Sequence, residues 1–75
     1  MAINAKDVIS IDCDIQNETA AAMLIKAHDV NGEIVKVWIP LSQTHEIHRK
    51  ESVSAGLFTD RVVISKWIAI KKELA

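Results

Sequence analysis

The stretch Asp29-Val30-Asn31-Gly32-Glu33-Ile34-Val35-Lys36-Val37-Trp38-Ile39-Pro40 decides the fold. Asn31-Gly32 is a strong hairpin signal, because both residues accept the positive φ of a type I′ turn. The residues after it are rich in β-branched side chains and read as a strand from Glu33 to Ile39. Pro40 has no amide to donate and ends that strand or sits at an edge. A hairpin needs a strand on each side. That requirement overrides the run Thr19-Ala20-Ala21-Ala22-Met23-Leu24, which is helical by propensity alone. Ala21 to Asp29 is therefore expected to be a strand.

Working upstream, Ile9, Ile11, Cys13 and Ile15 alternate with Ser10, Asp12 and Asp14. Period 2 predicts a half-buried strand from Val8, closed by the polar turn Gln16-Asn17-Glu18-Thr19. Downstream, Thr44 to Arg49 alternates weakly and is a candidate fourth strand, Glu51 to Asp60 reads as a loop, and Arg61-Val62-Val63-Ile64 is a short strand. Ser65 suits a helix N-cap, and Trp67, Ile70, Lys71 and Leu74 recur at helical spacing, predicting a helix over 65–74. A helix of about ten residues is marginal alone. It is expected to dock through Trp67 and Ile70. The fold class expected is mainly β: a small antiparallel β-meander or partly closed barrel of about five strands, with one C-terminal helix. Residues 1–75 are expected to form one domain, with residues 1–6 as a loose lead-in.

The chain has 75 residues and 8.3 kDa, room for one domain. Nine Lys and Arg against ten Asp and Glu give a net charge of −1. That balance excludes an electrostatically obvious nucleic-acid binder and an acidic nucleic-acid mimic. One cysteine excludes an internal disulfide and a cysteine-based zinc site. No apolar run approaches the length of a membrane span, and the N-terminus lacks the charged and apolar regions of a secretory signal. A cytoplasmic domain with no membrane contact is expected. Hydrophobic residues make up 49% of the chain. A domain this small buries only about 60% of its unfolded surface. Some of that apolar surface is expected to cover a partner or a second copy.

Two phrases carry a resemblance: Lys36-Val37-Trp38-Ile39-Pro40-Leu41-Ser42-Gln43 and Val63-Ile64-Ser65-Lys66-Trp67-Ile68-Ala69-Ile70-Lys71-Lys72-Glu73-Leu74. They resemble a group of short, largely uncharacterised phage and prophage proteins. That group pairs a VWIPxSQ-like strand end with a terminal WhAxKKxL-like helix, where h is apolar. The resemblance covers about the second half of the chain. This sequence departs from it at Ser65-Lys66, where the group's pattern has a proline-acidic pair. The resemblance implies a bacterial host cytoplasm and an accessory role for a mobile element. It transfers no catalytic residue.

The chemistry-bearing residues form no catalytic set. On a strand, His45 and His48 would point to opposite faces, and no compact ligand set completes a metal site. Cys13 sits between Asp12 and Asp14, which disfavour its thiolate, so a buried structural role is the ordinary reading. Asp12 and Asp14 share a solvated strand face. No glycine-rich loop offers a phosphate cradle, and no cofactor is implied. Trp38 leaves two arrangements open. Either the helix covers its face, with Trp67 beside it, or Trp38 lies in an exposed contact patch edged by Arg49, Lys50 and Arg61. Phe58 either tucks into the end of the barrel or meets a partner. The sequence thus points to a non-enzymatic module acting by protein–protein contact, expected to form a homodimer through Ile34, Trp38 and Phe58, with Arg49 and Lys50 at the border. The alternative is a weak single-stranded nucleic-acid binder. The structural positions are Trp67, Ile70, Gly32 and Ser65.

Overall fold

The computed structural model describes residues 7–51 and 58–75, so the lead-in and most of the loop after Glu51 lie outside the described residues. Five strands form one antiparallel sheet: β1 Val8–Glu18, β2 Ala22–His28, β3 Ile34–Pro40, β4 Thr44–His48 and β5 Asp60–Ser65. A 3-10 turn, Leu41–Gln43, links β3 to β4, and the helix α1, Lys66–Lys71, follows β5 directly. The order across the sheet is β3-β2-β1-β5-β4. It departs from a sequential meander, because β5 returns to pair with β1 and leaves β4 as an edge. The sheet does not close, and β3 and β4 are its edges.

β1 is the hub. Its first half pairs with β5, from Val8 opposite Ser65 to Cys13 opposite Asp60, and its second half pairs with β2, from Asp14 opposite Lys26 to Glu18 opposite Met23. A register shift between Ile15 and Asn17 carries the strand through residues whose polarity suggests a turn. Period 2 then sorts the side chains. Ile11, Cys13, Met23, Ile25, Ala27, Ile39, Val62 and Ile64 share one buried face, with Val35 and Val37 packed partly against it.

The helix covers that face, but in a different phase from the one expected. Ile68, Ala69 and Leu74 are buried, whereas Trp67 is 59% and Ile70 55% exposed. The helix therefore does not dock through Trp67 and Ile70, and it does not cover the Trp38 face. The reason lies at both ends of the helix. Ser65 caps it as expected, its hydroxyl accepting from the Ile68 amide at 3.2 Å and donating to Gln43 Oε1 at 2.8 Å. After six residues a left-handed Glu73, φ 61°, stops it. The Leu74 amide then reaches back to the Ala69 carbonyl and the Glu73 amide to the Ile70 carbonyl, the Schellman pattern. With so short a helix, the buried stripe is Ile68-Ala69 plus the returning Leu74. The Glu73 carbonyl also accepts from the Val30 amide at 2.8 Å, which ties the helix end to the β2–β3 turn.

That turn corrects a second detail. The hairpin exists, but it is not a two-residue type I′ turn. His28 pairs with Ile34, so Asp29–Glu33 all lie in the loop. Only Gly32 among these five has positive φ, +80°. The Gly32 amide bonds the Asp29 carbonyl at 3.0 Å, and Asp29 Oδ1 accepts from the Asn31 and Glu33 amides, each at 2.9 Å. The Asp29 side chain supplies the turn chemistry expected of Asn31.

Candidate functional site

The face of the sheet away from the helix carries Ile34, Lys36 and Trp38 on β3, across from His28, Lys26 and Leu24 on β2. Ile34 is 54% and Trp38 42% exposed. Lys26 pairs with Asp14 on β1 at 3.6 Å. Lys36, directly across from Lys26, is in no ion pair among the described residues. Trp38 therefore belongs to the exposed arrangement, on an edge strand.

Phe58, Arg49 and Lys50 gather elsewhere, with Thr59 and Asp60, around a shallow cleft of about 590 Å³. Phe58 is buried and meets His28 edge-on, centroids 5.2 Å apart. Its burial removes it from the exposed contact patch expected of it with Ile34 and Trp38. Its neighbour His28 pairs with Ile34 across β2 and β3 and so links the two places. Arg49 is ion-paired to Glu18. Trp38 lies four residues along β3 from Ile34, about 13 Å at strand rise. The five expected contact residues thus split into an exposed pair, Ile34 and Trp38, and a cleft group.

Asp60 organises the cleft, and sequence reading gives it no role. It is the buried first residue of β5, where pairing with β5 stops and β1 continues. Its carboxylate stands in for the missing strand, accepting from the Ile15 amide at 2.9 Å and the Lys50 amide at 2.9 Å. Burial by itself pushes its pKa up. The Ile15 and Lys50 amides, the Thr59 side chain and the nearby Arg49 charge outweigh burial and hold the group below its ordinary value of 3.8. Nearby, Asp14 accepts from the Thr59 amide at 2.8 Å and the Thr59 hydroxyl at 3.1 Å. These contacts brace the junction of β1, β4 and β5.

Cys13 is fully buried. Burial first, then the charges of Asp60, Asp14 and Asp12, push its thiol up to about 12. A thiol so poorly ionised at neutral pH is no nucleophile. His45 and His48 do not simply part to opposite faces. A register shift between Thr44 and Glu46 makes His45 the extra residue of a bulge. Glu46 then lies 3.9 Å from His45 Nε2 and 3.3 Å from His48 Nε2, while Glu51 lies 2.8 Å from His48 Nδ1. No group of three such side chains able to hold a metal occurs among the described residues.

On the outer side of α1, Trp67 and Ile70 make a second exposed apolar surface, with Lys71 Nζ 4.9 Å from the Trp67 ring centroid. The adjacent pair Ile68-Ala69 offers the sequence a second stripe one residue away, and the structure buries that one. No helix among the described residues is long and apolar enough to cross a membrane. Comparison with protein-family models, curated proteins and solved structures gives no match.

Proposed function

We propose that this domain is a small non-enzymatic binding module, of mobile-element origin and working in a bacterial cytoplasm, that acts by protein–protein contact and associates with itself. The observation that carries the reading is the exposure of Ile34 and Trp38 together on one face of an edge strand. A regular edge strand bearing large apolar side chains is an invitation to a partner. The suppressed ionisation of Cys13 takes the one thiol out of nucleophilic chemistry. The cationic side chains weigh against the single-stranded nucleic-acid alternative. Arg49 is held by Glu18, Lys26 by Asp14, and Lys71 lies over Trp67. The remaining Lys and Arg are balanced by ten Asp and Glu, and a net charge of −1 is a poor match to a phosphate backbone.

The test is capture of bacterial proteins on the immobilised domain, with Ile34→Ser/Trp38→Ser as the control. The expected result is a protein retained in high salt by the parent and lost with the double variant. Retention of single-stranded DNA, falling steeply with salt, would replace this reading with the nucleic-acid one.

A further inference from the structure

The two edges of the sheet are unequally guarded. β4 has five residues, a bulge at His45, and a cluster of His45, Glu46 and His48. Short length, bulges and charge are the usual protections of an edge. β3 has seven residues in unbroken register with β2, and its only such devices are Lys36 and the terminal Pro40. Its hydrogen-bonding phase follows from the ends of the hairpin. The Asp29 amide bonds the Glu33 carbonyl, and the Leu41 amide bonds the Ala21 carbonyl. Between them, hydrogen-bonded pairs alternate with open pairs. Val35, Val37 and Ile39 therefore spend their backbone groups on β2. Ile34, Lys36 and Trp38 turn theirs outward, and Pro40 has no amide to turn.

We propose that β3 pairs antiparallel with β3 of a second copy about a twofold axis at Val37, joining two five-stranded sheets into one. This rests on the self-association in the reading above. Only residues of like phase can pair, so the axis falls on a residue and not between two. An axis at Lys36 would set Lys36 opposite its own copy, beside Lys26 on each side, and like charges directly opposite are destabilising. An axis at Val37 sets Lys36 opposite Trp38 of the second copy on the open face, a cation over an aromatic ring, twice by symmetry. On the core face it sets Val37 against Val37 and Val35 against Ile39, covering the two valines that the monomer leaves partly buried. Ile34 falls opposite Pro40, whose missing amide marks the end of the ladder. The interface is isologous and closes at two copies.

Sedimentation equilibrium from micromolar to millimolar concentration tests this with three variants. The parent is expected to show a monomer–dimer equilibrium. Lys36→Gln removes the cation and is expected to weaken the dimer about five- to thirtyfold for two lost contacts. With the axis at Lys36 the same change would relieve repulsion and tighten the dimer, so the sign of the effect decides the register. Lys36→Pro deletes an outward amide without touching the β2 ladder and is expected to give a folded monomer. If it does not melt cooperatively, Lys36→Gln decides alone. A Trp67→Ser variant is expected to dimerise like the parent. A dimer that tightens with Lys36→Gln, survives a folded Lys36→Pro, or is lost with Trp67→Ser overturns the β3 interface but leaves self-association standing. A parent that is monomeric at every concentration overturns both.

Discussion

Asp60→Asn should expose how the sheet is joined. The carboxylate accepts two backbone amides, Ile15 on Oδ2 and Lys50 on Oδ1, from opposite sides. An asparagine amide presents one oxygen and one donor nitrogen, so one of these partners meets a donor and the other loses its charged acceptor. A hydrogen bond to a charged group contributes about 1.5–3 kcal/mol. Both sites are only partly buried, which sets the expected loss near the low end, about 2 kcal/mol. For a domain this size that lowers the Tm by roughly 8–16 °C. The pH dependence has a definite sign. The folded pKa of Asp60 lies below the unfolded 3.8, so its contribution is complete above that value and is lost as pH falls through the folded pKa. Thermal melts followed by circular dichroism at pH 7 and in steps from pH 5 to pH 2 check both claims. The parent should lead the variant at pH 7, and the two should converge in acid. A variant that melts with the parent at pH 7, or a gap that persists unchanged to pH 2, would refute the bracing role of Asp60.

The docking phase of the helix gives a second test: Ile68→Ala should cost about 2–5 kcal/mol and Trp67→Ala no more than about 1, read from paired denaturant melts. Two of the left-handed positions, Gly32 and Glu73, should respond in opposite directions. Gly32→Val should destabilise by more than about 1 kcal/mol through strain at φ +80°, although nothing lies within 4 Å of an added Cβ. Glu73→Gly should stabilise by about 0.5–1 kcal/mol, because glycine occupies the Schellman C′ position without a Cβ penalty. Cys13, with its thiol near 12, should resist iodoacetamide at pH 8 in the native state and react promptly in denaturant.

Local chemistry makes much of this protein legible in its sequence. Alternation over Ile9–Ile15, the Gly32 turn with strands on both sides, the β-branched run ending at Pro40 and the Ser65 cap are each determined by residues within a few positions of one another. The suppressed thiol of Cys13 is legible in part: the alternation buries it, which is the largest cause, and Asp14 and Asp12 are its chain neighbours, but the Asp60 charge reaches it only through the fold. Long-range pairing decides the rest. β5 pairs with β1 as well as with β4, while β3 and β4 do not pair with each other and lie at opposite edges, and that choice is energetic competition between strands far apart in the chain. Asp60 gains its role only because β5 starts partway along β1, so that the Ile15 amide beyond the pairing needs an acceptor. The phase of α1 is equally out of reach. Trp67 and Ile70 or Ile68 and Ala69 make an equally good stripe over six residues, and a helix so short is oriented by what its ends are tied to. Those ties, Ser65 to Gln43 and Val30 to Glu73, join segments that meet only when the sheet has formed, and they turn Trp67 to solvent while Ile68 enters the core.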